Sequence, residues 1–441
     1  MAKRWEAIRN WLGRIGLFAN VVFVLLLGLA VTGGITTTLW LSVGGGLAIV
    51  PAGTTVLDLL KLGLTVTAGI GGVVALVVAY RKQRFGEHAE QRLNAADARE
   101  DTKLFNERFG AAADKLGATE PANQLAGIYA MAGLADDWDT GRQTCINVLC
   151  GYLRLPYTPP GDLPENPTAE EHEEHQRKVT TQQIRHVLID LIGERLRAAP
   201  VPGRTWHSHY FDFSGATIDG GRLNHIKVTE ESRLDFSRVR FSGEVHFNHA
   251  KFDAGRVLFI KAKFDAGKVE FNDAQFNGST VQFRHAQFNG GYVEFLAAQF
   301  NGGSVGFEMA KLKSGCIDFG VSEFDGGSIR FFLAKFDGGW IRFYLAKFNG
   351  SQISFSKAQF NGSKMEFGKA RFNGGSFDFN EAQFNHGTVT FRESEFNGSE
   401  VDFHDVNQWT VPPIFDDFPH GPPTGVYWPR SPTRGQTDAS D

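Results

Sequence analysis

"AKFDAGKVEFNDAQFNGSTVQFRHAQFNGGYVEF", from Ala262 to Phe295, repeats itself almost every twelve residues. Phe264, Phe276 and Phe288 stand at one phase of that period, and Phe271, Phe283 and Phe295 at the other. Carried outward, the first phase runs from Phe252 through Phe300, Leu312, Phe324, Phe336, Phe348 and Phe360 to Phe396. The second runs from Phe247 and Phe259 through Phe331 and Phe343 to Phe403. Two residues before a first-phase ring stands a small residue, usually Ala (Ala250, Ala262, Ala274, Ala286). Two before a second-phase ring stands a β-branched one (Val257, Val281, Val293, Ile329, Ile341). Residues two apart on a strand share a face, so A-x-F and V-x-F each predict a short strand with both apolar side chains inward. Asn or Asp followed by Gly, as at Gly290, Gly302 and Gly338, supplies the positive φ of a tight turn between them. One such unit cannot bury its own ring. A strict period of this kind therefore predicts a β-solenoid in which each coil covers the next. Two coil lengths fit the period, about 12 residues with two faces or about 24 with four. Packing favours the longer, because two triplets leave rings facing across an unfilled slot while four make a filled square.

The N-terminal part reads differently. Gly16 to Trp40 and Val56 to Tyr80 are long apolar runs, the second charged only at Asp58 and Lys61. Each is long enough for a ~30 Å hydrocarbon layer, and two membrane spans are predicted. Lys3, Arg4, Arg9 and Arg14 precede the first, Arg81, Lys82 and Arg84 follow the second, and the connector 41–55 is uncharged. The positive-inside rule then puts both termini in the cytoplasm of a multi-pass plasma-membrane protein.

The expected organisation is a basic start over 1–15, spans at 16–40 and 56–80 around the connector, and a helical domain over 81–200. The solenoid follows over 206–404, then a capping segment and tail over 405–441. In the helical part, Pro121 opens a helix with Leu125, Ile128, Tyr129 and Ala132 on one side. Cys145, Val148, Leu149 and Tyr152 mark a second, and Ile184, Val187, Leu188, Leu191 and Ile192 a third. A loop containing His172-Glu-Glu-His175 is expected before the last, as a solvated charge cluster rather than a metal site. Three cysteines in a chain of 441 residues imply buried thiols, not a disulfide framework.

Catalysis needs convergent polar groups in a cleft. The repeats show no Ser-His-Asp set, no carboxylate pair and no phosphate loop, so no enzyme, catalytic residue, cofactor or metal ligand is assigned. A net charge of −4 points to no nucleic-acid partner, and no small molecule is identified. Outward positions instead form columns. One leans basic (Lys251, Lys263, Lys311, Lys335, Lys347, Arg371) and one acidic (Glu270, Glu294, Asp318, Glu366, Asp378, Asp402). Such columns can neutralise each other across the surface. Alternatively, Lys251, Lys263, Lys335, Lys347 and Arg371 offer a face to a charged protein partner.

The A-x-F and V-x-F triplets resemble the pentapeptide repeat, in which a central Leu or Phe and the small residue two before it point inward. Phe259 to Phe264 is one five-residue step, while Phe252 to Phe259 is seven, two longer than that pattern. The resemblance implies a right-handed quadrilateral β-helix with four faces per coil. The wider layout also resembles bacterial membrane-anchored pentapeptide-repeat proteins. Its markers are VALVVAYRKQR, EDTKLFNERFGAAADKLG, LAGIYAMAGLADDW and RQTCINVLCGYLRLPY ahead of the Phe-rich array. Some pentapeptide-repeat proteins mimic DNA with an acidic column, but acids and bases balance between Leu234 and Phe403. The expected role is a membrane-tethered scaffold, with a membrane-associated sensor using its helical domain as receptor as the alternative.

Overall fold

The computed structural model describes residues 98–199, 201, 203–416 and 423–429, with scattered helical positions between 23 and 83. Two compact units divide the chain, 1–104 and 105–441. In the first unit, the runs 16–40 and 56–80 lie largely outside the described residues, as do the start 1–15 and most of the connector. The expectation of a membrane-integral, multi-pass protein is overturned here. Among the described residues no helix is long and apolar enough to cross a membrane. A crossing needs about 20 continuous apolar helical residues. The longest described helix, Ala169–Arg197, is dense in Glu, Arg and Lys.

In the second unit helical residues 105–116 precede α1 (Pro121–Asp137), α2 (Arg142–Arg154) and α3 (Ala169–Arg197). Ile128, Met131, Ala135, Cys145, Ile146, Leu149 and Leu188 form their apolar interior. The three cysteines are free and buried, and burial pushes the Cys145 thiol to about 11 and Cys150 and Cys316 to about 12. Helix α3 begins earlier than the apolar pattern indicates. Thr168 accepts from the Glu171 amide while the Glu171 side chain accepts from the Thr168 amide. This capping box draws His172-Glu-Glu-His175 into the first turns of the helix. The periodic apolar face begins only where α3 meets its neighbours, which is why the sequence showed the later half alone.

The rest is a parallel β-solenoid of about nine turns. From Lys251 the register advances 24 residues per coil, as Gln275 pairs with Lys251 and Gln299 and Phe288 with Phe264 and Leu312, until the last coil, where Gln383 stands opposite Gln408. The first coils are a residue shorter along one edge, with Tyr210 opposite Arg233 and Thr217 opposite Arg240. Each coil has four strand positions, numbered here from strands such as Arg256–Leu258, which form the first face. The second face carries strands such as Lys263–Phe264, the third Lys268–Glu270 and the fourth Gln275–Asn277. The second and third faces run together in Gln287–Glu294, Lys311–Asp318, Gln359–Glu366 and Gln383–Thr390, whose pairings shift register at the corner.

Four columns of rings fill the interior. Phe259 stacks on Phe283 at 4.7 Å, Phe264 on Phe288 at 4.8 Å, Phe271 on Phe295 at 4.9 Å and Phe276 on Phe300 at 4.7 Å. The first and third columns meet edge-on, as Phe259 meets Phe271 at 6.0 Å and 90°, while neighbouring columns are tilted, as Phe259 is to Phe264 at 6.3 Å and 44°. This is the filled square that two faces would lack. At the C-terminal end Trp409 pairs above Phe384, Phe415 stacks on Phe391 at 4.7 Å, and Trp428 lies edge-on to Phe415. Phe418 lies outside the described residues.

The corners hold a feature that glycine counting misses. Lys261, Asp273, His285, Ala297, Met309, Val321, Leu333 and Leu345, all non-Gly, have φ of 54–60°. Each stands third in a turn: the Ala262 amide donates to the Phe259 carbonyl at 3.1 Å, and the Lys261 amide to the Arg284 carbonyl of the next coil at 2.9 Å. The inter-coil ladder over-determines this left-handed conformation, so it persists without glycine.

Helices α2 and α3 cover the N-terminal end of the solenoid. Helix α3 approaches the first coil closely because Gly193 lacks a side chain: a β-carbon there would lie 2.5 Å from the Arg222 carbonyl oxygen.

Candidate interaction surface

The rings named from the sequence, Phe252, Phe259, Phe264, Phe271, Phe276, Phe283, Phe288, Phe295, Phe300, Phe331, Phe336, Phe343 and Phe348, are all buried. They pack the interior of the array, and the polar chemistry lies on the outward positions. Because strands alternate in and out, each face carries outward columns with one residue per coil, about 4.8 Å apart.

The 24-residue coil separates what the twelve-residue period had joined. Lys251, Lys347 and Arg371 stand on the fourth face with Gln275, Gln299, Glu323 and Glu395. Lys263 and Lys335 stand on the second face with Gln287, Lys311 and Gln359. The five residues expected to form one partner face therefore lie on two. The acidic series divides likewise: Glu270, Glu294, Asp318 and Glu366 belong to the third face, Asp378 and Asp402 to the first.

Charge neutralisation runs along the columns from coil to coil. Lys347 pairs with Glu323 at 2.6 Å and Arg371 with Glu395 at 3.2 Å, each 24 residues apart. On the third face Lys268 bridges Glu270 at 2.8 Å and Glu294 at 2.9 Å. Burial alone would raise the Glu270 carboxyl, but hydrogen bonds from Lys268, Asn248 and His246 outweigh it and bring it down to about 2. Its bonds to Glu270 and Glu294 hold Lys268 above the usual lysine range. Asp318 is pushed up by burial; Arg342 lies 3.7 Å from it and covers the Trp340 ring at 4.4 Å. Trp340, Tyr344, Leu345, Val321 and Leu333 are exposed on the middle coils. A shallow cleft of about 470 Å³ lies beside Lys268, with Glu244, Asp265, Tyr292 and Glu294 on its walls.

The densest polar cluster joins the helices to the first coil and was not legible in the sequence. Asp219 accepts from Tyr157 Oη at 2.6 Å, from Gln182 Nε2 at 2.9 Å, and faces His186 Nε2 at 3.1 Å. Arg185 lies over the Tyr157 ring at 4.3 Å and donates to the Leu153 and Thr217 carbonyls. Burial raises the Asp219 carboxyl, yet bonds from His186, Tyr157 and Gln182 leave it below its ordinary range. Burial and the Asp219 bond push the Tyr157 phenol up. Every member is occupied by a partner across the joint, so the cluster fastens helices to solenoid. Among the described residues no three His, Cys, Asp or Glu side chains group to hold a metal.

Compared with known proteins, the chain matches no family model, no curated protein and no solved structure. What stands is the architecture: a rigid parallel β-solenoid with a 24-residue repeat and stacked phenylalanine columns.

Proposed function

We propose that the chain is a non-enzymatic interaction scaffold built on a variant of the pentapeptide-repeat design. One observation carries this reading. The ring columns consume the interior, while the outward side chains are held in straight ladders by the backbone pairing of every coil. Repeat solenoids bind partners through such extended faces. Preorganised side chains lose little conformational entropy on binding, so a flat face can still bind usefully. The helical domain has a filled interior and gives its polar groups to the joint with the solenoid, which favours a cap over a receptor.

A photo-crosslinking residue placed in the full chain tests this. Gln352, Lys335, Trp340 and Lys251 sample the four faces, and exposed Glu173 samples α3. Protein adducts are expected from at least one solenoid position. Adducts from Glu173 alone would replace the scaffold with the receptor alternative.

A further inference from the structure

Of the two basic ladders, one carries acids that pair with Lys347 and Arg371 while leaving Lys251 without an ion pair to a described residue, and the other carries no acid at all. On the fourth face, Glu323 and Glu395 occupy positions within the column and take up Lys347 and Arg371. On the second face the column reads Arg240, Lys263, Gln287, Lys311, Lys335, Gln359, Gln383, Gln408, with no acid in it. Acids do border it, and each has a partner. Asp265 takes Arg240 at 2.7 Å and Asn289, and Asp337 takes Asn361 at 2.7 Å. Glu308 takes Arg330 at 2.9 Å and Glu381 takes Lys357 at 3.4 Å. Lys263, Lys311 and Lys335 are exposed and form no ion pair with a described residue, and exposed Lys261 and Lys313 flank them.

We propose that this second-face ladder is the docking surface for an acidic helix of a partner protein, laid along the solenoid axis. The proposal rests on the scaffold reading and names its partner. Coils advance about 4.8 Å and an α-helix advances about 5.4 Å per turn. Carboxylates one helical turn apart therefore stay within reach of successive ladder positions over four or five coils. Lys311 and Lys335 occupy adjacent steps, Lys263 lies two steps below Lys311, and Gln287, Gln359 and Gln383 supply amide donors between and beyond them. Complementary charge steers such an encounter and fixes its register, and screening by salt weakens it.

The experiment uses the full chain and three probes: a synthetic helical peptide with Glu along one face, its Lys-faced counterpart, and duplex DNA of matched charge. The Glu peptide is expected to bind in a salt-dependent manner. The triple change Lys263→Gln, Lys311→Gln, Lys335→Gln should weaken it about tenfold or more, equivalent to about 1.4 kcal/mol. Gln already stands in this column, so that variant should keep the parent thermal midpoint. Lys251→Gln, Lys347→Gln, Arg371→Gln on the fourth face should change binding by less than about twofold. No binding of the Glu peptide, equal losses from both triple variants, or preference for DNA over the peptide each overturns the proposal. None of these touches the scaffold reading, which the crosslinks from the other faces decide independently.

Discussion

Removing one ring from the middle of a stack should leave a hole that the array cannot close. Phe331 is fully buried, with ring centroids 4.9 Å from Phe307 below, 4.8 Å from Phe355 above and 5.7 Å from Phe336 edge-on. Truncating a buried Phe to Ala costs about 3–5 kcal/mol, more where the surroundings cannot collapse. Here they are held apart by the backbone, since the Phe331 amide donates to Ser354 and the next coil is tied in the same way. The upper part of that range, about 4–5 kcal/mol, is therefore expected for Phe331→Ala. Phe331→Leu keeps most of the apolar area and loses two stacked contacts worth about 0.5–1.5 kcal/mol each, so about 1–3 kcal/mol is expected. Leu312 shows that the array accommodates a Leu at such a position. Exposed Leu333, two residues on, is the control, and Leu333→Ala should stay within about 0.5 kcal/mol. Urea unfolding followed by far-UV circular dichroism reads the global cost. Native-state hydrogen exchange shows whether the loss is confined to neighbouring coils, as nearest-neighbour coupling in a solenoid allows. An Ala variant within about 1 kcal/mol of the parent, or indistinguishable from the Leu variant, would refute the stacking argument.

Spin labels at Lys251 and Lys347, four coils apart in one column, should separate by about 19 Å; a distance near 38 Å would mean a coil of half the length. Val321 is a β-branched residue at φ 60°, so Val321→Gly should gain about 0.5–1 kcal/mol, relief of left-handed strain outweighing glycine's entropy. A loss of stability there would show that the corner is relaxed. The Glu270 carboxyl sits at about 2 against an ordinary 4.5, so its bonds stabilise the fold fully above pH 4.5 and are lost as pH falls from there towards 2. Glu270→Gln should flatten the thermal midpoint across that window, and an unchanged acid slope would assign the effect to other carboxylates.

The repeat was legible because it is local and strict: a Phe every twelve residues at two phases leaves little freedom in which side chains face inward. The capping box at Thr168 was equally local, yet its helix was read short, because the first turns of α3 carry no apolar face. The apolar runs near the N-terminus met the length criterion for membrane spans, and among the described residues no helix is long and apolar enough to cross a membrane. Strand pairing between coils is non-local, so the period alone left 12 and 24 residues both open and only the parallel register chose 24. That choice sent Lys263 and Lys347 to different faces and paired Lys347 with Glu323. It also left the second-face lysines without an ion-pair partner among the described residues, since a side chain's neighbour above and below depends on where the chain returns. The Asp219 cluster had no sequence signature for the same reason: its members come from a loop, a helix and a strand up to 62 residues apart and meet only when the helices close the end of the solenoid.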